Sequence, residues 1–357
     1  MALVETLREL TLTDGIPGQE DAVRAVMARH LEPCGSLQRD RLGSLCCLRR
    51  GAADHPRLML AAHMDEIGFL VSDITDEGYL RLQTVGGWWA QVMLAQRVTV
   101  HTRQGELPGV VGSKPPHVLS AEDRKKVLEI KDMFIDIGAA SRAEAAEWGV
   151  RVGDPVAPVC PFTPLRNPDL LLGKALDDRA GCAVLIETMR RLAASGQQSP
   201  GTVLATATVQ EEVGLRGADV AARHWQPDVA IAIDVGIAGD TPGMQRHEAR
   251  SRLGQGPLVL VYDGSLLPSP RLRDFVGDVA AAEGVAVQWD TVAGGGTDAG
   301  RMQFAGAGVP ALALGFATRY IHSAAAVIHR ADLEAAVVLL LGVIRRLDRS
   351  ALEAILP

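Results

Sequence analysis

The chain has 357 residues, 47% of them hydrophobic and 22% charged, with 36 Lys and Arg against 43 Asp and Glu for a net charge of −7. That length exceeds one ordinary core and suggests about two domains, while the acidic balance and the lack of any basic run beyond pieces such as Arg124-Lys125-Lys126 argue against nucleic acid or an anionic membrane as partner. The longest apolar run, Ala335 to Ile344, is well short of the ~20 residues that span a bilayer, the N-terminus shows no basic segment followed by an apolar signal core, and five scattered cysteines contain no CxxC pair. A cytoplasmic protein is expected, acting on small molecules and associating with copies of itself.

Along the chain, the periodicity predicts helices over Leu3 to Leu10 and Gln19 to Leu31, a short strand pair within Leu37 to Arg49, and a strand Leu58 to Ala62 that ends at His63. Between Ile67 and Phe162 the pattern changes to short apolar runs broken by Gly and Pro, which predicts a small all-β barrel or sandwich inserted into the chain. Within it, Lys114 to Lys131 carries Pro115-Pro116 and a dense charge run and reads as a mobile loop. Strand and helix patterns then alternate: helix Ala180 to Ala194, strand Val203 to Val209, a helix from Leu215, strands Val229 to Ile233 and Leu258 to Val261, helix Arg271 to Glu283 and strand Ala311 to Leu314. A last helix shows a core-facing stripe of Leu333, Val337, Leu340, Ile344 and Leu347. The reading is an α/β domain, residues 1–66 with 163–357, built on a mostly parallel sheet with helices on both faces and interrupted by a β domain over 67–162.

Acid and imidazole side chains gather where predicted strands end, which is where open α/β sheets build sites. They are His63-Met64-Asp65, Asp177-Asp178, Glu211-Glu212, Asp234 and His322. His63 and Asp65 are two residues apart, so both can point the same way and Asp65 can fix the imidazole tautomer. One of Asp177 and Asp178 can cap the following helix, leaving the other free to bridge two ions. In the adjacent pair Glu211-Glu212 one carboxylate can hold a metal while the other moves protons. Without cysteine ligands, such a site favours hard or borderline divalent ions.

Six blocks in order resemble the M42 family of metalloaminopeptidases. They are Ala62-His63-Met64-Asp65-Glu66-Ile67-Gly68, Gly112-Ser113-Lys114-Pro115-Pro116-His117, Ala175-Leu176-Asp177-Asp178-Arg179, Val209-Gln210-Glu211-Glu212-Val213-Gly214-Leu215-Arg216-Gly217-Ala218, Gly239-Asp240-Thr241-Pro242-Gly243 and Arg319-Tyr320-Ile321-His322-Ser323. The resemblance implies that His63 and Asp234 bind one ion, Glu212 and His322 the other, and that Asp177 bridges them. It also implies Glu211 as general base and Asp65 as the residue that orients His63. The expected cofactors are two divalent ions per subunit, Zn or Co, with Mn a further candidate. The family further implies dimers that build a hollow dodecamer admitting short peptides to inward-facing sites. Where many relatives carry Thr-His after the aspartate, this chain has Gly236-Ile237, and its Gly294-Gly295-Gly296-Thr297-Asp298-Ala299-Gly300 loop resembles a family segment near the site.

The leading expectation is a dinuclear aminopeptidase. Its rivals are an acyl-amino-acid deacylase, an endoglucanase-type hydrolase and a non-catalytic shell. Few aromatic residues (5 Trp, 3 Tyr, 6 Phe) argue against sugar-stacking surfaces. The preferred first residue stays open, with Arg246, Arg252 and Arg319 the cations that could face it.

Overall fold

The computed structural model describes residues 2–357. Helices α1 (Ala2–Leu12) and α2 (Asp21–Leu31) lead into a hairpin of β1 (Ser36–Arg39) and β2 (Leu45–Arg49), then β3 (Arg57–His63). Strands β4 (Gly68–Ile74), β5 (Leu80–Val85), β6 (Arg97–Thr102), β7 (Gly105–Gly112), β8 (Phe134–Asp136) and β9 (Pro155–Pro158) follow, with helix α3 (Arg142–Glu147) before the last. The chain returns through β10 (Thr163–Pro164), β11 (Leu170–Gly173), α4 (Leu176–Ala194), β12 (Thr202–Thr208), α5 (Arg216–Trp225), β13 (Val229–Ile237) and β14 (Leu258–Asp263). It ends with α6 (Pro270–Glu283), β15 (Gln288–Val292), α7 (Ala299–Met302), β16 (Ala311–Arg319), β17 (Ala326–His329), α8 (Arg330–Arg346) and α9 (Arg349–Ile355).

Eleven strands form one sheet in the order β1-β2-β12-β3-β13-β16-β17-β11-β10, with β14 and β15 joined through β16. Only β12, β3, β13 and β16 form a continuous parallel block; β1, β2, β17, β11 and β10 pair antiparallel. The sheet is therefore mixed rather than mostly parallel. The β1–β2 and β10–β11 pairs join runs adjacent in sequence and need no crossover helix, whereas β11 meets β17 and β2 meets β12 across long stretches of chain.

The parallel strands are covered on both faces, and alternate residues divide between two cores. Leu58, Leu60, Val203, Ile231, Ile233, Leu312 and Leu314 face the helices α1, α4, α6 and α8, while Ala61, Ala230, Ala232, Ala311 and Ala313 face α5 and α7. Successive side chains on a strand point to opposite faces, so one run such as Val229–Ile233 can serve two cores.

The inserted segment is a closed six-stranded barrel, β4-β5-β8-β7-β6-β9. It has its own core around Phe69, Val98, Val100, Ile135 and Val156, with Phe69 and Trp88 stacked at 4.6 Å between ring centroids. Residues 114–131 cross its surface in three single turns of 3-10 helix, Pro116–Val118, Asp123–Lys125 and Ile130–Asp132. A partly buried ionic chain ties the barrel to the α/β domain: His101 of β6 donates to Asp14 at 2.9 Å, and the buried Lys174 reaches Asp14 at 2.5 Å and Glu66 at 2.6 Å.

Candidate metal centre

Because β3, β12 and β13 run parallel, their C-terminal ends share one edge, where His63, Glu211-Glu212 and Asp234 meet. Asp177 joins them from the first turn of α4, and His322 from the loop after β16. Two groups have ligand atoms within 4.8 Å of one another: His63, Asp177 and Asp234, and Asp177, Glu212 and His322. Asp177 belongs to both. Its Oδ1 lies 3.1 Å from Nε2 of His63, and its Oδ2 lies 3.5 Å from Nε2 of His322.

Both imidazoles are fixed in tautomer by carbonyl groups, which can only accept. His63 Nδ1–H donates to the backbone oxygen of Asp65 at 3.0 Å, and His322 Nδ1–H donates to that of Gly87 at 3.0 Å. Each ring thereby turns Nε2 toward the carboxylates, where it donates to Asp177 when protonated and is the nitrogen free to bind a cation once that proton is displaced. Sequence reasoning expected the Asp65 side chain at His63; the atom the ring meets is the Asp65 carbonyl. Its carboxylate stands 3.7 Å from Nδ1 and performs another task.

That task is to hold the Glu211-Glu212 turn. Asp65 Oδ1 accepts from Glu211 N and Oδ2 from Glu212 N, each at 3.0 Å, while Glu20 accepts from Gln210 N at 3.1 Å. Gln210 sits at φ +56°, a left-handed conformation that costs a non-glycine residue about 1–3 kcal/mol. Hydrogen bonds to charged groups contribute about 1.5–3 kcal/mol each, so three of them outweigh the strain. Ala175, Leu215, Tyr320 and His322 are also left-handed, which concentrates strain in the segments that carry the site. Glu20 escaped the sequence reading because it looks like an ordinary residue at a helix start. The helix begins at Asp21 because Glu20 is engaged instead with Gly18 N at 2.7 Å and with the turn.

Asp178, beside the candidate ligand, caps α4 by accepting from Gly181 N at 2.9 Å and also accepts from His63 N at 3.2 Å. Asp234 lies inside β13 rather than at its end, since that strand continues to Ile237 alongside β16. Gly87 was not anticipated. It arrives on the barrel loop after β5, and a Cβ there would stand 2.7 Å from His322 Nδ1, so only glycine fits. The Gly294–Gly300 loop also comes to the site, and its Asp298 accepts from Thr208 Oγ1 at 2.5 Å with its other oxygen buried and unpartnered.

Electrostatics mark the cluster as a cation site. Burial, reinforced by the Asp177 charge, pushes both Glu212 and Asp234 up to about 8. Burial also holds Glu211 well above the usual carboxylate range. Asp177 goes the other way: against its burial, hydrogen bonds from His322 and His63 keep it well below that range. The hydrogen bond to Asp177 lifts His322 to about 9. Carboxylates so crowded out of water hold protons unless a cation replaces them. The donor set of two imidazole nitrogens and three carboxylates fits borderline divalent ions such as Zn, Co or Mn. Beside it opens a cleft of about 950 Å3 that reaches Ile237, Leu260, Asp290 and the Gly294–Thr297 loop.

Residues 43–339 match the family model described as M42 glutamyl aminopeptidase. The chain is 44% identical to the TET aminopeptidase from a marine sediment archaeon of the Thaumarchaeota, with a TM-score of 0.97 over 99% of both chains. It is 35% identical to the Pyrococcus horikoshii TET1 peptidase, TM-score 0.87, over 97% of this chain and 100% of that one. That peptidase can assemble into a tetrahedron or a large octahedral shell. The glutamyl aminopeptidase of Lactococcus lactis is 36% identical over 327 residues, 90% of each chain.

Proposed function

This chain belongs to the M42 glutamyl aminopeptidase family, and from that premise we propose that it is a dinuclear metalloaminopeptidase removing the first residue of short peptides, with Glu211 as general base. The observation that carries the reading is Asp177, whose two oxygens each face a different imidazole, the arrangement a carboxylate shared between two ions would have. His63 and Asp234 complete one ion's ligands, Glu212 and His322 the other's. The bound ions would supply Lewis acidity, lowering the pKa of water toward neutrality and polarising the scissile carbonyl.

Glu211 is 8% exposed and belongs to neither ligand group. Placed against the cleft, it takes the proton of the attacking water and returns it to the departing amine. Asp65 and Glu20 keep the Glu211 backbone fixed while this happens, so the carboxyl meets its substrate without rearrangement. The barrel, residues 67–162 with its flanks, is the element expected to pair subunits, in dimers that build a closed peptide-accessible shell like those of the TET relatives. A shell of this kind would act on unfolded peptides in the cytoplasm.

The test is hydrolysis of unblocked aminoacyl p-nitroanilides with added Co²⁺ or Zn²⁺, repeated after EDTA, with elemental analysis of the purified protein. Metal-dependent release and two ions per chain are expected. One ion per chain at saturation would refute the bridging role of Asp177. Release only from N-blocked substrates would identify a deacylase.

A further inference from the structure

The cleft beside the metal centre is one-sided in charge. Apart from the candidate ligands and Glu211, its ionisable lining residues are Glu248, Asp263 and Asp290, and among the described residues no Lys or Arg lines it. None of these three acids makes an ion pair among the described residues. Asp263 accepts from Ser265 N and Oγ at 2.7 Å and from Thr297 Oγ1 at 2.9 Å. Asp290 accepts from Ser251 N at 3.1 Å and Thr291 N at 2.8 Å, and Glu248 from Gln245 N at 2.6 Å. All these donors are neutral; Asp263 and Asp290 lie buried in the cleft lining at 1% and 6% exposed, while Glu248 is exposed, and none of the three has an ion-pair partner among the described residues.

The arginines that could have answered them are elsewhere. Arg319 is held by both oxygens of Asp240, each at 2.8 Å, and neither Arg246 nor Arg252 lines the cleft. The walls between metals and acids are apolar. Ile237, 42% exposed, projects into the cleft beside Leu260 and Val292. Its neighbour Gly236 is fixed by packing, since a Cβ there would lie 2.4 Å from Leu258 Cδ1. The Gly236-Ile237 pair thus supplies an aliphatic wall where a polar one would otherwise stand.

Resting on the aminopeptidase reading above, we infer that the cleft selects the first residue of the peptide by charge, taking Lys or Arg and rejecting Asp or Glu, with Glu248 and Asp290 as specificity-determining residues. An aliphatic stem lies along Ile237, Leu260 and Val292, and its cationic head meets the acids. A glutamyl side chain would meet these acids and no Lys or Arg, although the family model carries the glutamyl description. Rejecting the wrong charge discriminates as effectively as attracting the right one.

The experiment compares kcat/KM for Lys-, Met- and Glu-p-nitroanilide on the metal-loaded enzyme. Lys and Met have similar length, so their ratio reads charge rather than fit. The expected order is Lys, then Met, then Glu, with the Lys-to-Met ratio falling about three- to tenfold in Glu248→Gln or Asp290→Asn, the effect of removing one nearby charge in a half-wet cleft. High salt should compress the same ratio. Glu turned over as well as Lys, or a ratio unmoved in both variants, overturns the inference while leaving an aminopeptidase. No release from any of the three, with metal content verified, refutes the aminopeptidase reading and this inference with it.

Discussion

Gly87→Ala is the sharpest perturbation the site offers, because it leaves every candidate ligand in place. The added Cβ would stand 2.7 Å from His322 Nδ1 and 3.0 Å from Cε1. Nonbonded carbon contacts settle near 3.5–4.0 Å, so the ring must retreat by roughly 0.5–1 Å. Metal–ligand distances tolerate about ±0.2 Å, a fraction of that shift. The retreat also breaks the Nδ1–H bond to the Gly87 carbonyl, which fixes the tautomer and is worth about 0.5–1.5 kcal/mol. Disturbing such a supporting contact typically costs about 10–100-fold in metal affinity, and that is the expected loss at the ion held by Glu212 and His322. Gly87 is exposed and is not in the left-handed region, so the melting temperature of the metal-free protein should barely change. The assay is metal titration by calorimetry, paired with peptidase rate against added metal. Excess Co²⁺ or Zn²⁺ should restore most of the rate. Unchanged affinity with unchanged rate at limiting metal would refute the placement of His322 as a ligand braced from behind by the barrel.

Glu211→Gln should retain both ions by elemental analysis while kcat falls about 10²- to 10⁴-fold, the usual contribution of acid–base catalysis; turnover near that of the wild type would sink the base assignment. Asp65→Ala removes the acceptors for two amide groups and should destabilise the fold by about 2–6 kcal/mol, at about 1–3 kcal/mol for each unsatisfied buried donor. A loss below 1 kcal/mol in urea unfolding would show that the turn holds itself. Thr208→Val takes away the one hydrogen bond to the buried Asp298 carboxyl and should cost about 1–3 kcal/mol, read by the same unfolding measurement. For pH, the hydrogen bond to Asp14 raises His101 above its ordinary 6.5, against partial burial. A raised folded-state value means its stabilisation is complete below pH 6.5 and lost as pH climbs through the folded value. The melting temperature should therefore drop more between pH 6 and 9 in the wild type than in His101→Gln, and parallel pH profiles would contradict the linkage.

The candidate cluster could be picked out from sequence because parallel strands deliver their C-terminal ends to one edge, so residues that follow apolar runs converge without any knowledge of loops. Even there Asp234 was misplaced by one feature of pairing. Its strand continues to Ile237 because β16 runs beside it to Thr318, and nothing in Val235-Gly236-Ile237 announces that partner. Contacts made through backbone atoms were beyond reach. Asp65 turned out to hold two amides of a turn 146 residues away, and the Gly87 carbonyl braces a histidine 235 positions further on. The mixed sheet was hidden for another reason: its antiparallel strands β10, β11 and β17 are only 2, 4 and 4 residues long, too short to show a period. The inserted barrel, by contrast, announced itself through its change of period.

The carbonyl of Gly87 also bears on when activity can arise during folding. Residues 63 and 322, at the two ends of the ligand set, are separated by 259 positions, and their closure carries the loop entropy of nearly the whole chain. The barrel has its own core and is built from neighbouring strands, so it can condense early, whereas the ligand cluster needs the four parallel strands in register and the barrel already docked. A half-folded chain thus has neither a complete pair of metal-binding groups nor a braced His322. On the proposed reading, then, the site is complete only when the parallel strands are in register and the barrel loop that carries Gly87 has docked beside His322.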